Sequence, residues 1–294
     1  MDWRGRRTSS NVDDRRSRRT TRSPGGFGGG VPRGGMGLPF PMSGRMLVII
    51  VLIAVLYGIF GGGLSNMFSA DQPAPTTPAS DEDALFASTV LAMTEDVWGE
   101  IFAASNSRYI EPQMVIFSGQ TESGCGFASA QMGPFYCPAD STIYIDLTFF
   151  QELSERFGAP GEYARAYVIA HEVGHHVQNL LGITDEMARL RDRVSQQEYN
   201  QYSVRLELQA DYLAGVFTHY IQNEGILEEG DVEAAMRAAN QIGDDRIQRE
   251  TQGRVSPDSF THGTSEQRMR WFLKGFESGD LSDGDTFSIP FDDL

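Results

Sequence analysis

Two residue types are nearly missing from this 294-residue chain. Cysteine occurs twice, at Cys125 and Cys137, and lysine once, at Lys274, against 23 arginines. Neither cysteine sits in a Cys-x-x-Cys pair, which excludes a tetrathiolate zinc site. The lysine deficit reads as compositional bias and carries no mechanism. Charge of either sign is absent from the 25 residues between Arg45 and Asp71, and no internal repeat is present. Basic charge is scarce beyond the head of the chain. Residues 1–45 carry ten Arg and three Asp, whereas the remainder has a net charge of −23. A body this acidic repels phosphate backbones, so nucleic acid is not an expected partner of the folded part.

What is present divides the chain. Residues 1–45, rich in Arg, Ser, Gly and Pro, lack the apolar content for a core and read as a disordered basic tail. Residues 46–64, MLVIIVLIAVLYGIFGGGL, are just long enough for a membrane helix. The arginines before that run place its N-terminal side in the cytoplasm. Met67-Phe68-Ser69-Ala70 is a poor signal-peptide cleavage site, which favours an uncleaved anchor with lipid as its partner. Residues 65–80, with three prolines, read as a linker. The expected arrangement is therefore a single-pass membrane protein. Its N-terminus would be cytoplasmic and its folded domain, residues 81–289, extracytoplasmic.

Within that domain the pattern is mainly helical with a small β-sheet, an α+β class. Acids at 81–83 open a helix whose apolar spacing runs from Leu85 to Phe102. Segments 113–118 and 142–147, rich in β-branched and aromatic residues, read as strands. Helices are expected over 149–157, 161–181, 201–223, 231–242 and 265–277, several of them closed by glycine. Cys125 and Cys137 bracket a loop between the two strands, and an oxidising compartment would join them. A loop of that size would stabilise the fold by about 3 kcal/mol.

The chemistry concentrates in 171–175, His-Glu-Val-Gly-His. On a helix, positions i and i+4 share a face, so His171 and His175 can reach one ion. Glu172 projects to a neighbouring face, where it can take a proton from water. The helix around them is largely apolar, and His and Glu side chains there are costly unless paired or metal-bound. Gly174, which costs about 1 kcal/mol relative to Ala in mid-helix, leaves room for another element. On a second helix, Glu207-Leu-Gln-Ala-Asp211 places two acids one turn apart. Catalytic zinc uses three protein ligands, and two His with one Glu is an established set. Glu207 completes it, and Asp211 is placed to accept a hydrogen bond from a ligand imidazole. Asp211 as third ligand in place of Glu207 is the competing assignment.

The stretches AHEVGHHVQ, LELQADYLAG and THGTSEQRMRWF together resemble the bacterial neutral zinc metallopeptidase family. The Glu-x-x-Ala-Asp element is also similar to that of membrane-linked gluzincins. The resemblance spans roughly residues 81–278. It implies a zincin-like metallopeptidase domain with Zn2+ on His171, His175 and Glu207, Asp211 behind them, and a peptide or protein substrate.

Three histidines remain. His176 reads as a structural residue or a support behind the ligands, and His219 as packing or surface. His262, in a loop before a helix capped by Thr264 or Ser265, could face the site and stabilise an oxyanion. In similar peptidases an extended substrate pairs with an edge strand, and 142–147 is the candidate here. Zinc-dependent peptide hydrolysis with Glu172 as general base is weighed against an inactive, membrane-tethered binding domain that keeps a structural metal. Such a site would need a fourth protein ligand. Oligomeric state is not legible.

Overall fold

A computed structural model describes residues 1–17 and 80–294. After 80, the first long element is α1 (Asp81–Ala104). Ser80 caps it in a reciprocal box with Asp83, and the acids at 81–83 suit the positive end of the helix dipole. Strand β2 (Gln113–Phe117) follows. Next come the hairpin strands β3 (Gln120–Ser123) and β4 (Gly126–Ser129), then β5 (Phe135–Cys137) and β6 (Thr142–Asp146). The rest is helical: α2 (Thr148–Glu155), α3 (Glu162–Leu180), α4 (Ile183–Leu190), α5 (Gln196–Asn223), α6 (Asp231–Gln241), α7 (Asp244–Gln252) and α8 (Ser265–Ser278). The fold is thus α+β and mostly helical.

The sheet alternates as a two-faced strand pattern requires. Met114, Ile116, Ile143 and Ile145 face the helices, while Val115, Phe117 and Tyr144 pack with Ala128 and Cys137 in a smaller cluster. Cys125 and Cys137 form a disulfide, tying the β3–β4 turn to β5. The helical layer is held at two close crossings. A Cβ on Gly174 of α3 would lie 2.9 Å from the Ala210 carbonyl of α5. Cβ atoms on Gly215 and Gly275 would overlap the backbones of α8 and α5 respectively. Only glycine allows those helices to approach so closely.

The amino-terminal residues depart from the expected disordered tail. Residues 12–14 form β1 (Val12–Asp14), which pairs parallel with β2, Val12 opposite Met114. The sheet order is β1-β2-β6-β5, with β5 antiparallel to β6. Met1 and Trp3 are buried, and Trp3 meets Phe86 edge to face at 5.2 Å. Arg7 pairs with Glu95 and Asp96 of α1, and Ser9 and Asn11 also bond Glu95. Arginines that composition assigns to solvent or lipid are therefore in part counter-ions of an acidic helix.

This placement also corrects the membrane topology. Residues 46–64 lie outside the described residues, and among the described residues no helix is long and apolar enough to cross a membrane. Residues 1–17 and 80–294 belong to one unit, with β1 hydrogen-bonded beside β2. Arg16 reaches the Ser80 carbonyl at 3.0 Å, so the two ends of the intervening segment are adjacent. A single crossing between them would put β1 and β2 on opposite faces of a bilayer. The expected single-pass anchor, with a cytoplasmic tail and an extracytoplasmic domain, is inconsistent with that sheet.

The packed amino-terminus makes a measurable difference. Trp3→Ala should lower the unfolding free energy by about 3–5 kcal/mol, the usual cost of truncating a buried aromatic. Urea unfolding with no change in midpoint would restore the disordered tail.

Candidate metal centre

The crossing of α3 and α5 at Gly174 and Ala210 sets the site. His171 and His175 stand one turn apart on α3, and Glu207 stands opposite on α5. Glu207 Oε2 lies 3.2 Å from His171 Nε2, and Oε1 lies 3.5 Å from His175 Nε2. One ligand atom from each of the three lies within 4.8 Å of the others, the only such group of His, Cys, Asp and Glu among the described residues.

The far side of each ring is held. His171 Nδ1 donates to Asp211 Oδ1 at 2.9 Å, and His175 Nδ1 donates to Gln178 Oε1 at 2.9 Å. Both imidazoles are thereby held through Nδ1 with Nε2 turned inward, the orientation a metal ligand needs. Gln178 is itself anchored, its amide donating to the Leu206 carbonyl and to Gln209. The donor set of two nitrogens, both on braced rings, and a carboxylate fits zinc.

Asp211 organises the back of the site. Fully buried on α5, it accepts from Arg268 Nε at 2.8 Å and Nη2 at 2.9 Å, from the Tyr167 hydroxyl, and from His171. Burial alone would raise its pKa, but Arg268 and His171 outweigh that and hold it at about 2. Burial would likewise lower His171; Asp211 and Glu207 raise it instead, to about 10. The carboxylates around that ring thus favour positive charge there, which a divalent ion supplies more strongly than a proton. Glu207 is pushed up by burial, yet the surrounding histidines hold it well below the ordinary carboxylate range.

Glu172 lines the same cleft, of about 610 Å³, beside His171, His175 and Glu207. Its carboxyl is raised by burial, partly offset by His175 and His171, and the Tyr136 amide faces it. His262 also lines the cleft. Its Nδ1 is 3.2 Å from Asp244 Oδ1, and the other Asp244 oxygen accepts the amides of Thr261 and His262. Nε2 is left for the cleft, and the charge of Glu207 raises the ring's pKa.

The remaining histidines pack away from the ligands. His176 is buried between the Tyr136 hydroxyl and the Ile110 carbonyl, and burial lowers its pKa. His219 bonds the Phe276 carbonyl. The 142–147 strand expected to offer a free edge does not: β6 lies inside the sheet, hydrogen-bonded on both edges. The strand at the cleft is β5, through Phe135 and Tyr136. Sequence reasoning also missed Arg268, Tyr167, Gln178 and Asp244. Tyr167 and Gln178 had a usable signal, lying four and three residues from the histidines they support or brace.

Arg268 and Asp211 generate a test. Arg268→Met leaves a buried carboxylate without its cation and should cost about 3–5 kcal/mol. The sign with pH follows from the depressed pKa of Asp211. Its contribution is complete above the unfolded value of about 3.9 and is lost as pH falls through about 2. Without Arg268 the loss should begin at higher pH. Acid unfolding followed by circular dichroism would contradict this if the two proteins shared one midpoint.

Comparison with known proteins gives the family. The profile of the family described as "Putative neutral zinc metallopeptidase" matches residues 1–287. A protein of Escherichia coli strain K12 named "Uncharacterized protein YpfJ" is 50% identical over 290 residues, covering 98% of this chain and 99% of that relative. "Uncharacterized protein Mb2605" of Mycobacterium bovis is 46% identical over 191 residues, 61% of this chain and 64% of that relative. No solved structure matches. With the profile running from the amino-terminal strand past α8, the chain belongs to the neutral zinc metallopeptidase family.

Proposed function

We propose that this chain hydrolyses peptide bonds, with zinc held by His171, His175 and Glu207, and with Glu172 and His262 as catalytic residues. The observation that carries the reading is the position of Glu172. It follows a ligand histidine directly, is buried in the cleft, and has a carboxyl raised by that burial. A raised carboxyl is a better proton acceptor near neutral pH than an exposed one.

Zinc, when bound, would supply Lewis acidity toward the peptide carbonyl and acidify water. Glu172 takes the proton from the attacking water and returns it to the leaving amine nitrogen. His262, held at Nδ1 by Asp244, presents Nε2–H to the carbonyl oxygen as negative charge develops there. Asp211 and Gln178 keep the two imidazoles from rotating. A metal-keeping binding domain is the other reading. It would be served by a closed four-ligand site, and the group found among the described residues has three members. Such a site also has no use for Glu172.

Three substitutions separate the roles. Glu172→Gln should keep about one zinc per chain and lose about 10²–10⁴-fold in kcat. Glu207→Gln should lose zinc first and activity with it, and Asp211→Asn should lose about 10–100-fold in affinity or rate. Metal analysis paired with peptide digestion reads all three. Full activity in Glu172→Gln would end the hydrolytic reading. Normal zinc in Glu207→Gln with loss in Asp211→Asn would move the third ligand to Asp211.

A further inference from the structure

The two imidazoles are braced by different means. His171 leans on the charged carboxylate of Asp211, whereas the support behind His175 is neutral and reaches further. His175 Nδ1 lies 2.9 Å from Gln178 Oε1. The Gln178 amide nitrogen lies 2.7 Å from the Leu206 carbonyl and 3.0 Å from Gln209 Oε1. The Gln209 amide nitrogen in turn lies 3.0 Å from the Gly284 carbonyl. A relay of hydrogen bonds thus runs from the metal cleft to the turn Leu281–Gly284, which follows α8.

The polarity of this relay is set at its ends. A carbonyl oxygen accepts and cannot donate. Gly284 therefore draws the NH2 of Gln209 toward itself and leaves Oε1 facing Gln178. The Leu206 carbonyl and that oxygen both require the NH2 of Gln178, which leaves its Oε1 for the ring. An amide flipped at either position would set oxygen against oxygen. The His175 proton is thereby directed to Nδ1, and Nε2 is the nitrogen turned to Glu207, 3.5 Å from its Oε1.

The far end of the relay is held firmly. Gly284 is buried, and a Cβ there would lie 2.6 Å from the Tyr212 ring, so glycine lets this carbonyl lie close against α5. The Asp280 carbonyl accepts from the Tyr212 hydroxyl, and Lys274 Nζ donates to the Asp283 carbonyl at 2.8 Å. Thr286 Oγ1 donates to the Arg205 carbonyl at 2.7 Å. Arg205, Gln209 and Tyr212 follow one another at helical spacing, so one stripe of α5 straps the carboxy-terminal segment down. Gln209 is the member of that stripe that also meets Gln178.

Resting on the metal site proposed above, we propose that Gln209 is a positioning residue for zinc. Through Gln178 it fixes the tautomer of His175, and so ties ion affinity to the docking of the Leu281–Gly284 turn.

The test reads the ring itself as well as the ion. The metal-free full chain, with its histidine ring nitrogens isotope-labelled, is observed by NMR at a pH where the His175 ring is neutral. Wild type should show His175 as the Nδ1–H tautomer. Gln209→Met is close in size but has no amide, and should show both tautomers. Its zinc Kd, measured by competition with a chelator, should rise about tenfold, the lower end for a support behind a ligand. Gln209→Glu keeps an acceptor for Gln178 and has no amide to flip, so the Nδ1–H ring should return. Thr286→Val removes a bond from the same strap outside the relay and should bind zinc as wild type does. A pure Nδ1–H ring or an unchanged zinc Kd in Gln209→Met would overturn the relay and leave the metal site standing. So would a mixed ring in Gln209→Glu, or a loss of affinity in Thr286→Val equal to that in Gln209→Met. A His175 signal that zinc does not move in wild type would overturn the metal site and the relay with it.

Discussion

The buried carboxylate of Asp211 is the constraint on which the rest of the site depends. It lies on α5, accepts from His171 and Tyr167 of α3, and is gripped at both oxygens by Arg268 of α8. Three helices distant in sequence are thereby registered around one charge. A buried carboxylate without partners would cost several kcal/mol, so each partner must be in place for the fold to keep it ionised. The glycine crossings at 174, 215 and 275 bring the three backbones within reach. Packing and electrostatics specify the same geometry, and that geometry fixes the ring that would bind the metal.

The same logic extends outward. Rigid imidazoles leave little to reorganise when an ion binds, and the accumulation of carboxylates makes positive charge favourable at their centre. Across the cleft, Asp244 does for His262 what Asp211 does for His171: a carboxylate occupies one nitrogen and turns the other toward the site. Glu172 stands between these braced groups with its carboxyl raised by burial.

Much of this site was legible because its information is local. The spacing of His171 and His175, and of Glu207 and Asp211, follows from helical periodicity alone. Gly174 signalled a close approach before any partner was known. Arg268 was not legible, because 57 residues separate it from Asp211 and an arginine on a mixed helix carries no mark of burial. Strand order was not legible either. The 142–147 segment was expected at an edge, but β5, only three residues long, covers it. The amino-terminal strand failed for a related reason. Its few anchoring residues, Met1, Trp3 and Val12, are diluted among arginines, and composition averaged over 45 residues conceals them. That error propagated, because a tail assumed to be free also allowed a single membrane crossing that a shared sheet forbids.

The account's central claim is that one ion is held by His171, His175 and Glu207, with Asp211 behind. Anomalous diffraction at the zinc absorption edge, from crystals of the zinc-loaded chain, tests it most directly. The account predicts one peak per chain, bonded to Nε2 of His171 and of His175 and to a Glu207 carboxylate oxygen at about 2.0–2.2 Å. A peak bonded to Asp211 instead, or none within reach of the two histidines, would contradict it.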